Sequence, residues 1–323
     1  MKSTGNTGER FLVTGALGCI GAWTVKRLVA EGVPVWAYDL GTSLHRLQLI
    51  MDDKALNDVK FVQGDITDFD AFNRTLADNG ITHIVHLAAF QVPFVRAQPV
   101  LGAKVNLVGM SVVLEAAKQH MDQLRGLVYA SSVAVYSPDG KSMQPVNLYG
   151  VHKIANEGMA RIYSQDFGLH SIGLRPHTVY GPGRDQGMTS TPTKAMLAAA
   201  VRRPYEISFG GTILMEHADD IAGVFIQAAR TKLGLSSVYD VGGNTVTVEE
   251  IIAAINDAVP EMTGKITYNP TPLTVGLPPN QEAVEEVLGK LRWRSLAEGV
   301  RQTVEQFKHA ARQKRLDVDR ALA

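Results

Sequence analysis

The stretch RFLVTGALGCIG, residues 10–21, decides the fold. Its first half, RFLVTG, is a short apolar run typical of a buried strand, and Gly15, Gly18 and Gly21 follow at a regular spacing. Glycine allows a tight turn, lets the backbone approach a phosphate and lets a helix pack closely on a strand. A helix that begins at Cys19 would point unpaired N–H groups and a partial positive charge at a pyrophosphate. The stretch therefore predicts a dinucleotide-binding strand–turn–helix unit.

Short apolar runs and helical segments alternate after this turn. The runs are VPVWAYD, VKFVQGD, THIVHLAA, GLVYASS and SIGLRP. The predicted helices are Cys19–Glu31, LHRLQLIMDD, Phe69–Asn79, Val100–His120 and Val146–Phe167. This alternation predicts an α/β fold with a doubly wound parallel sheet of the Rossmann type. We expect residues 1–180 to form it, with returning segments near 212–245, and residues 181–323 to form mainly a smaller C-terminal substrate lobe with C-terminal helices.

Composition and charge narrow the class of protein. The chain has 323 residues, with 32 Lys+Arg balanced by 32 Asp+Glu, so no charge excess recommends nucleic acid or a membrane surface as partner. The single cysteine, Cys19, excludes an internal disulfide and fits a reducing compartment. No apolar run approaches the ~20 residues that span a bilayer. No spacing of His, Cys or carboxylates suggests a metal. We expect a cytoplasmic protein without a metal.

An acid ends the second strand. Asp39 follows Gly21 by eighteen residues, where a carboxylate accepts hydrogen bonds from the ribose hydroxyls of an adenine dinucleotide. The same carboxylate repels a 2′-phosphate, which favours NAD over NADP as the cofactor. Arg46 lies too far along the chain to reverse this preference.

The segment NLYGVHK, residues 147–153, places Tyr149 four residues before Lys153. In a helix these side chains lie on one face, one turn apart. Ser132 follows a predicted strand in YASSVAVY, and the carboxyl ends of parallel strands are where such sheets bind ligands. We therefore expect the three side chains to share one crevice.

The pair has a chemical logic. A tyrosine with its ordinary pKa near ~10 is a poor base at neutral pH. An ammonium at about 4 Å attracts a phenolate by about 4 kcal/mol at an effective dielectric near 20, which lowers the pKa by two to three units. Such a phenol can take a proton during oxidation of an alcohol and return it during reduction.

With these motifs the chain resembles the extended short-chain dehydrogenases/reductases, the NAD-dependent epimerase/dehydratase family, over nearly its whole length. TGALGCIG resembles the phosphate loop of that family, GDITD its third-strand segment and HLAA its fourth. The resemblance implies a catalytic triad of Ser132, Tyr149 and Lys153 and a homodimer formed through two helices of each subunit. It also implies NAD contacts from Gly15, Gly18, Cys19, Ile20, Gly21, Asp39, Asp65, Ile66, Leu87, Ala88, Ala89, Asn106, Lys153 and Pro176.

Departures from the family concern the substrate. Family members that dehydrate nucleotide sugars carry an Asp–Glu pair where this chain has Val133 and Ala134, so dehydration is not expected. Nucleotide-sugar enzymes bind the diphosphate with an Asn and an Arg where this chain has Thr178 and Ile213. A smaller polyol, sugar, sugar acid or hydroxy acid is therefore at least as good a candidate as a nucleotide sugar. The candidate substrate contacts are Gln91, Arg96, Ser132, His177, Arg184, Thr189 and His217, of which the histidines could equally be packing residues.

The leading hypothesis is an NAD-dependent oxidoreductase or epimerase that acts on a secondary hydroxyl of a sugar or sugar-derived substrate. One alternative is a nucleotide-sugar 4-epimerase. Another is a dinucleotide-binding regulatory protein without turnover, although the retention of both Tyr149 and Lys153 favours an enzyme. A dehydrogenase must exchange its cofactor and an epimerase must keep it, and the motifs are the same for both.

Overall fold

The computed structural model of the protein describes residues 8–232, 234–273 and 282–322. Its strands are β1 (Phe11–Thr14), β2 (Val35–Asp39), β3 (Val59–Gln63), β4 (His83–His86), β5 (Gly126–Ala130), β6 (Ile172–Arg175), β7 (Thr178–Tyr180), β8 (Tyr205–Ile207), β9 (Thr212–His217), β10 (Ser237–Asp240), β11 (Asn244–Thr247) and β12 (Ile266–Tyr268).

The α-helices are α1 (Cys19–Ala30), α2 (His45–Ile50), α3 (Asp53–Leu56), α4 (Phe69–Asn79), α5 (Val92–Ala97), α6 (Pro99–Ala103), α7 (Gly109–Gln119), α8 (Leu148–Phe167), α9 (Thr191–Ala200), α10 (Ala218–Arg230), α11 (Val248–Ala258), α12 (Ala283–Leu288), α13 (Leu296–Arg312) and α14 (Val318–Leu322). A π-helical turn, Lys104–Val108, joins α6 to α7, and short 3₁₀ turns cover Val133–Val135 and Pro260–Met262.

Seven strands form one parallel sheet in the order β10-β6-β5-β4-β1-β2-β3. The chain builds outward from β1 in one direction and then returns to build from β4 in the other, so the strand order reverses between β1 and β4. In open α/β sheets a crevice opens outside the carboxyl ends of the strands at this point, and ligands bind there. The prediction of a doubly wound α/β fold is confirmed.

Apolar residues cover both faces of this sheet. Residues of α1 and α10, including Trp23 and Phe225, pack on one face, and residues of α4 and α7, including Phe72 and Met110, pack on the other. Burial on both faces explains why the strands read as continuous apolar runs rather than as alternating ones.

The C-terminal lobe has its own core. A three-stranded sheet, β11-β9-β7, and a two-stranded sheet, β12-β8, share a buried cluster with α9, α11 and α13. β10 lies between these elements in the chain but pairs with β6 in the main sheet. The chain therefore leaves the lobe after β9, passes through α10 and β10, and returns to the lobe at β11.

Two local features differ from the sequence expectation. LHRLQLIMDD forms two short helices, because Met51 is extended and Asp52 accepts a hydrogen bond from the Ala55 N–H at the start of α3. The helical stretch Pro99–Gln119, whose most apolar 18-residue window has a mean hydropathy of 1.5, is long and apolar enough to cross a membrane by length and composition. This corrects the expectation that no stretch reaches that length. Half of its most apolar window is buried inside the fold, as in a core helix.

Candidate active site

The glycine turn packs against the end of β4. Gly15 has φ +65°, and a Cβ atom there would lie 2.7 Å from the Ala88 nitrogen and 2.8 Å from the Leu87 carbonyl carbon. Thr14 Oγ1 accepts hydrogen bonds from the N–H groups of Leu87 and Ala88, each at 3.2 Å. α1 begins at Cys19, and its N-cap residue, Gly18, has no side chain to cap it, which leaves the first N–H groups of the helix available to a phosphate. The turn therefore fits a dinucleotide pyrophosphate.

Asp39 and the glycine turn line one cavity. Asp39 Oδ2 accepts the Leu17 N–H at 2.9 Å and its Oδ1 accepts the Gly41 N–H at 3.0 Å, so the carboxylate is fixed at the end of β2. Each oxygen keeps a second lone pair for a ribose hydroxyl. Arg46 cannot offset the repulsion of a 2′-phosphate, because its guanidinium is committed to Asp185 Oδ1, at 2.7 and 3.0 Å, and to the Leu17 carbonyl. The arrangement fits NAD better than NADP.

Ser132, Tyr149 and Lys153 line the same cavity of about 760 Å³ as the glycine turn. Asn147 caps α8 by accepting the Gly150 N–H at 2.9 Å, which starts the helix just before Tyr149. Ser132 follows β5, and its Oγ accepts the Ala134 N–H at 3.1 Å. Lys153 is buried, and its Nζ donates to the Ala130 carbonyl at 2.6 Å and lies 5.4 Å from the centre of the Tyr149 ring.

The electrostatics of Tyr149 differ from the expectation. Burial raises the pKa of Tyr149, and the hydrogen bond from Ser132 and the charge of Arg184 oppose this rise. Lys153 was expected to lower this pKa, but the neighbouring charge that does so is Arg184. Burial also lowers the pKa of Lys153 to about 8, and Glu157 opposes that shift. Lys153 is thus charged at neutral pH and close to losing its proton just above it.

Arg184 lies in the cavity wall on the loop after β7. Its Nη1 donates to Gln91 Oε1 at 3.2 Å and its Nη2 to Thr189 Oγ1 at 3.0 Å, so both partners are neutral. Its Nε is buried and has no hydrogen-bond partner. A buried guanidinium held by neutral groups, with an N–H left over, is suited to binding an anionic group of a ligand.

The structure brings most predicted residues to this cavity and leaves some outside. Among the predicted contacts, the cavity lining includes Gly15, Gly18, Cys19, Ile20, Gly21, Asp39, Asp65, Ile66, Leu87, Ala88, Ala89, Gln91, Ser132, Tyr149, Lys153, Pro176, His177, Arg184 and Thr189. Burial raises the pKa of the Cys19 thiol to about 11, so this cysteine is neutral.

Three predicted contacts lie outside the cavity lining. Asn106 is buried in the π-helical turn, where its side chain bonds the N–H and the carbonyl of Phe90 at 2.7 and 3.0 Å. Arg96 is exposed on α5 and lies outside the cavity lining. His217 is a core residue, because its ring packs edge-on against Trp23 and Tyr180 and its Nδ1 accepts the Asp219 N–H at the start of α10.

The positions that bind a diphosphate in nucleotide-sugar enzymes are apolar or buried here. Ile213 is fully buried in the core of the C-terminal lobe. Thr178 is 2% exposed on β7, opposite Met215 of β9. Neither side chain can clamp a diphosphate. A second cavity of about 730 Å³ lies beyond the loop that carries Arg184 and leaves room for a longer ligand.

Some contacts at the site were not predicted from the sequence. His45 and Arg46 both bind Asp185, which fixes the loop after β7 to the glycine turn. Phe90 and Phe94 stack with ring centres 5.8 Å apart at the cavity wall. No local pattern marks these residues, because their contacts join segments far apart in the chain. Among the described residues no group of three or more His, Cys, Asp or Glu is placed to hold a metal.

Comparison with known proteins agrees with this geometry. A family model described as "NAD dependent epimerase/dehydratase family" matches residues 11–242. A protein from Mycolicibacterium smegmatis, UDP-glucose 4-epimerase, is 30% identical over 317 residues, covering 93% of this chain and 99% of that protein. UDP-glucuronate 4-epimerase 4 from Arabidopsis thaliana is 31% identical over 236 residues, covering 68% of this chain and 54% of that protein. The chain thus spans about half the length of several curated relatives that it matches.

A solved structure gives the same picture. The UDP-glucose 4-epimerase of Thermus thermophilus in complex with NAD superposes with a TM-score of 0.76 at 26% identity, covering 93% of this chain and 99% of that one. The similarity therefore extends over both the main sheet and the C-terminal lobe.

Proposed function

Because the chain belongs to the NAD dependent epimerase/dehydratase family, we propose that it is an NAD-dependent enzyme that oxidises a secondary hydroxyl of a sugar or sugar-derived substrate. The observation that carries this proposal is that Ser132, Tyr149 and the buried Lys153 line the same cavity as the glycine turn, with Lys153 Nζ 5.4 Å from the centre of the Tyr149 ring. A non-catalytic dinucleotide-binding protein would not need a tyrosine, a serine and a buried lysine gathered at that point.

The residues have distinct parts in this reaction. NAD, when bound, supplies a hydride acceptor and a positive charge near the tyrosine. Ser132 holds the reacting oxygen, and Tyr149 takes the hydroxyl proton as the carbon–hydrogen bond breaks. Arg184 opposes the rise in the pKa of Tyr149 and so favours the phenolate, and Lys153 holds a second positive charge 5.4 Å from the centre of the Tyr149 ring. The glycine turn and Asp39 hold the two ends of the adenosine diphosphate.

Tyr149→Phe tests the proposal directly. The variant keeps the ring and its packing, so NAD binding measured by calorimetry should remain within about twofold. Hydride transfer should fall by at least about 100-fold, the lower end of what a positioned acid–base group contributes. Tyr163→Phe is the matched control, because Tyr163 lies on the same helix but bonds Glu115 away from the cavity. Undiminished turnover by Tyr149→Phe would contradict the mechanism.

The purified protein separates the two reaction types. An epimerase keeps its NAD between the oxidation and the return of the hydride, so NAD should co-purify at near-stoichiometric levels. A dehydrogenase exchanges NAD for NADH, so absorbance of NADH should grow with added substrate. Mass spectrometry of the protein as purified, followed by a screen of sugars, sugar acids and nucleotide sugars, decides between them.

We propose further that the substrate carries an acidic group. The support is Arg184, whose buried Nε has no partner and whose other contacts are neutral. A sugar acid or hydroxy acid would place its carboxylate on this guanidinium and its hydroxyl at Tyr149. The second candidate function, a nucleotide-sugar 4-epimerase, is favoured by the relatives named UDP-glucose 4-epimerase and is weakened by Thr178 and Ile213.

We propose a cytoplasmic homodimer formed through α8 and the stretch that contains α6 and α7. Large apolar side chains of these helices are unusually exposed: Val100 at 86%, Leu101 at 41%, Val108 at 46%, Val151 at 47% and Ile162 at 40%. Apolar surface concentrated on neighbouring helices is typical of a protein–protein interface. Covering them with a second copy would remove this surface from water.

A further inference from the structure

A buried ion pair lies one helical turn beyond the catalytic lysine. Glu157 follows Lys153 by four residues on α8 and accepts hydrogen bonds from Arg175 Nε at 2.8 Å and Arg175 Nη2 at 2.7 Å. It also accepts the hydroxyl of Ser131 at 2.5 Å. In the chain, Ser131 lies between Ser132 and Ala130, whose carbonyl accepts the hydrogen bond from Lys153. The pair therefore links the end of β5 to the helix that carries Tyr149.

A second carboxylate extends the group. Arg175 Nη1 donates to the Tyr136 hydroxyl at 2.7 Å, and this hydroxyl donates to Asp240 Oδ2 at 2.8 Å. All these side chains are buried. Two carboxylates face one guanidinium, so the cluster carries one negative charge in excess when both are ionised; burial raises the pKa of Asp240. Within the described part of the chain Lys153 makes no ion pair, and it is the adjacent buried cation that can balance this charge.

The other titratable groups around Lys153 are neutral at working pH. Burial lowers the pKa of His86, on β4, to about 3 and also lowers that of His152. Burial raises the pKa values of Tyr129, on β5, and of Tyr136 well above their ordinary range. Arg184 faces Tyr149 from the loop after β7. The charge of this cluster that acts on Lys153 is thus that of Glu157, which Arg175 of β6 holds from the other side together with Asp240 of β10.

We propose that Glu157, held by Arg175, is a positioning residue that keeps Lys153 protonated and in place beside Tyr149, so that proton transfer proceeds at neutral pH. The inference rests on the proposed function. When Glu157 loses its charge, nothing opposes the effect of burial, which disfavours the ammonium form of Lys153. Lys153 would then lose its proton at a lower pH, and the cation that favours the phenolate would disappear within the working range.

The first test is the pH profile of hydride transfer. In Glu157→Gln we expect the alkaline fall of kcat/KM to move to lower pH by about one unit or more, which is a tenfold change in proton concentration. Asp220→Asn is the matched control, because Asp220 also binds an arginine, Arg294, but at the start of α10, outside the cluster around Lys153. This control should keep the wild-type profile. A folded Glu157→Gln with an unshifted profile overturns the proposal.

A second variant covers the case in which Glu157→Gln fails to fold. Asp240→Asn removes the excess negative charge and leaves the contacts between Glu157 and Arg175 intact. We expect a shift of the same sign and smaller size. A shift to higher pH, or no shift, overturns the proposal.

A double-mutant cycle tests the same coupling without activity. Urea unfolding of the wild type, Asp240→Asn, Lys153→Met and the double variant, repeated for Glu157→Gln where it folds, measures whether the carboxylates stabilise the protein through Lys153. We expect each carboxylate substitution to cost less when Lys153 is absent, and the difference to vanish above pH 9. Additive effects at pH 7 overturn the proposal. If the wild type turns over no substrate, the proposed function fails, and this cycle still decides the charge coupling.

Discussion

Gly15→Ala tests the packing on which the cofactor site depends. The substitution adds a Cβ at 2.7, 2.8 and 2.9 Å from backbone atoms of Leu87 and Ala88, and backbone at the end of β4 cannot move aside as a flexible side chain would. The residue also has φ +65°, where a non-glycine residue costs about 1–2 kcal/mol. Overpacking of this kind adds about 1–3 kcal/mol. We expect a loss of roughly 2–5 kcal/mol in the free energy of unfolding, the sum of those two costs.

Gly32→Ala separates the two contributions. Gly32 has φ +72° and nothing within 4 Å of an added Cβ, so this variant should lose only the backbone cost, about 1–2 kcal/mol. Urea unfolding gives both values, and calorimetry with NAD gives the binding of the cofactor. Gly15→Ala should bind NAD at least tenfold more weakly, because the turn must open, whereas Gly32→Ala should bind it normally. Equal stability and equal NAD binding in the two variants would refute the close approach of the turn to β4.

Further predictions concern other parts of the molecule. Arg184→Gln should weaken the use of an acidic substrate by at least about thirtyfold in kcat/KM, since losing one partner of a buried charge pair costs about 2–5 kcal/mol, while neutral substrates change little. Val151→Glu should convert a dimer to a monomer in light scattering, and an unchanged mass would exclude this face. Asp39→Ala should weaken NAD binding more than NADP binding in parallel titrations. Glu216 is fully buried with its Oε1 unpaired, and burial raises its pKa well above 4.5. The folded wild type keeps this proton as pH rises, so it loses stability above pH 4.5, and Glu216→Gln should be the more stable protein at pH 8 but not at pH 4, as urea unfolding would show.

Local signals explain which elements the sequence predicts well. α4 has the predicted bounds, Phe69–Asn79, because Asp68 caps its first turn and Gly80 ends it at φ +56°. The second predicted helix breaks because Met51 is buried in the core, with an extended backbone that no local pattern marks. Capping residues act over one turn and can be read from the chain, whereas a break that serves tertiary packing cannot.

The residues of the candidate site also divide into those whose proximity follows from sequence spacing and those that only the tertiary fold brings together. Tyr149 and Lys153 are one helical turn apart, so their neighbourhood follows from sequence spacing alone. Arg184 reaches the same place only because the loop after β7 turns back, with Gly181, Gly183 and Gly187 all at positive φ. The sequence predicts Arg184 as a candidate contact, but its effect on the pKa of Tyr149 depends on the path of the loop after β7. His217, by contrast, lies outside the cavity lining, because its position at the end of β9 places its ring in the core.

Two cations therefore lie near the tyrosine, and they need not act on it at the same stage. Arg184 lowers the pKa of Tyr149 in the protein alone, and Lys153 is held toward the Ala130 carbonyl. An acidic substrate bound to Arg184 would neutralise that charge, so the phenolate would then depend on Lys153 and on the nicotinamide. On this reasoning an acidic inhibitor that cannot be oxidised should raise the pKa of Tyr149. Ultraviolet difference spectra of the phenolate, recorded on the complex with and without the inhibitor and compared with Tyr149→Phe, measure this shift. A pKa that falls on binding would mean that the anion does not lie on Arg184.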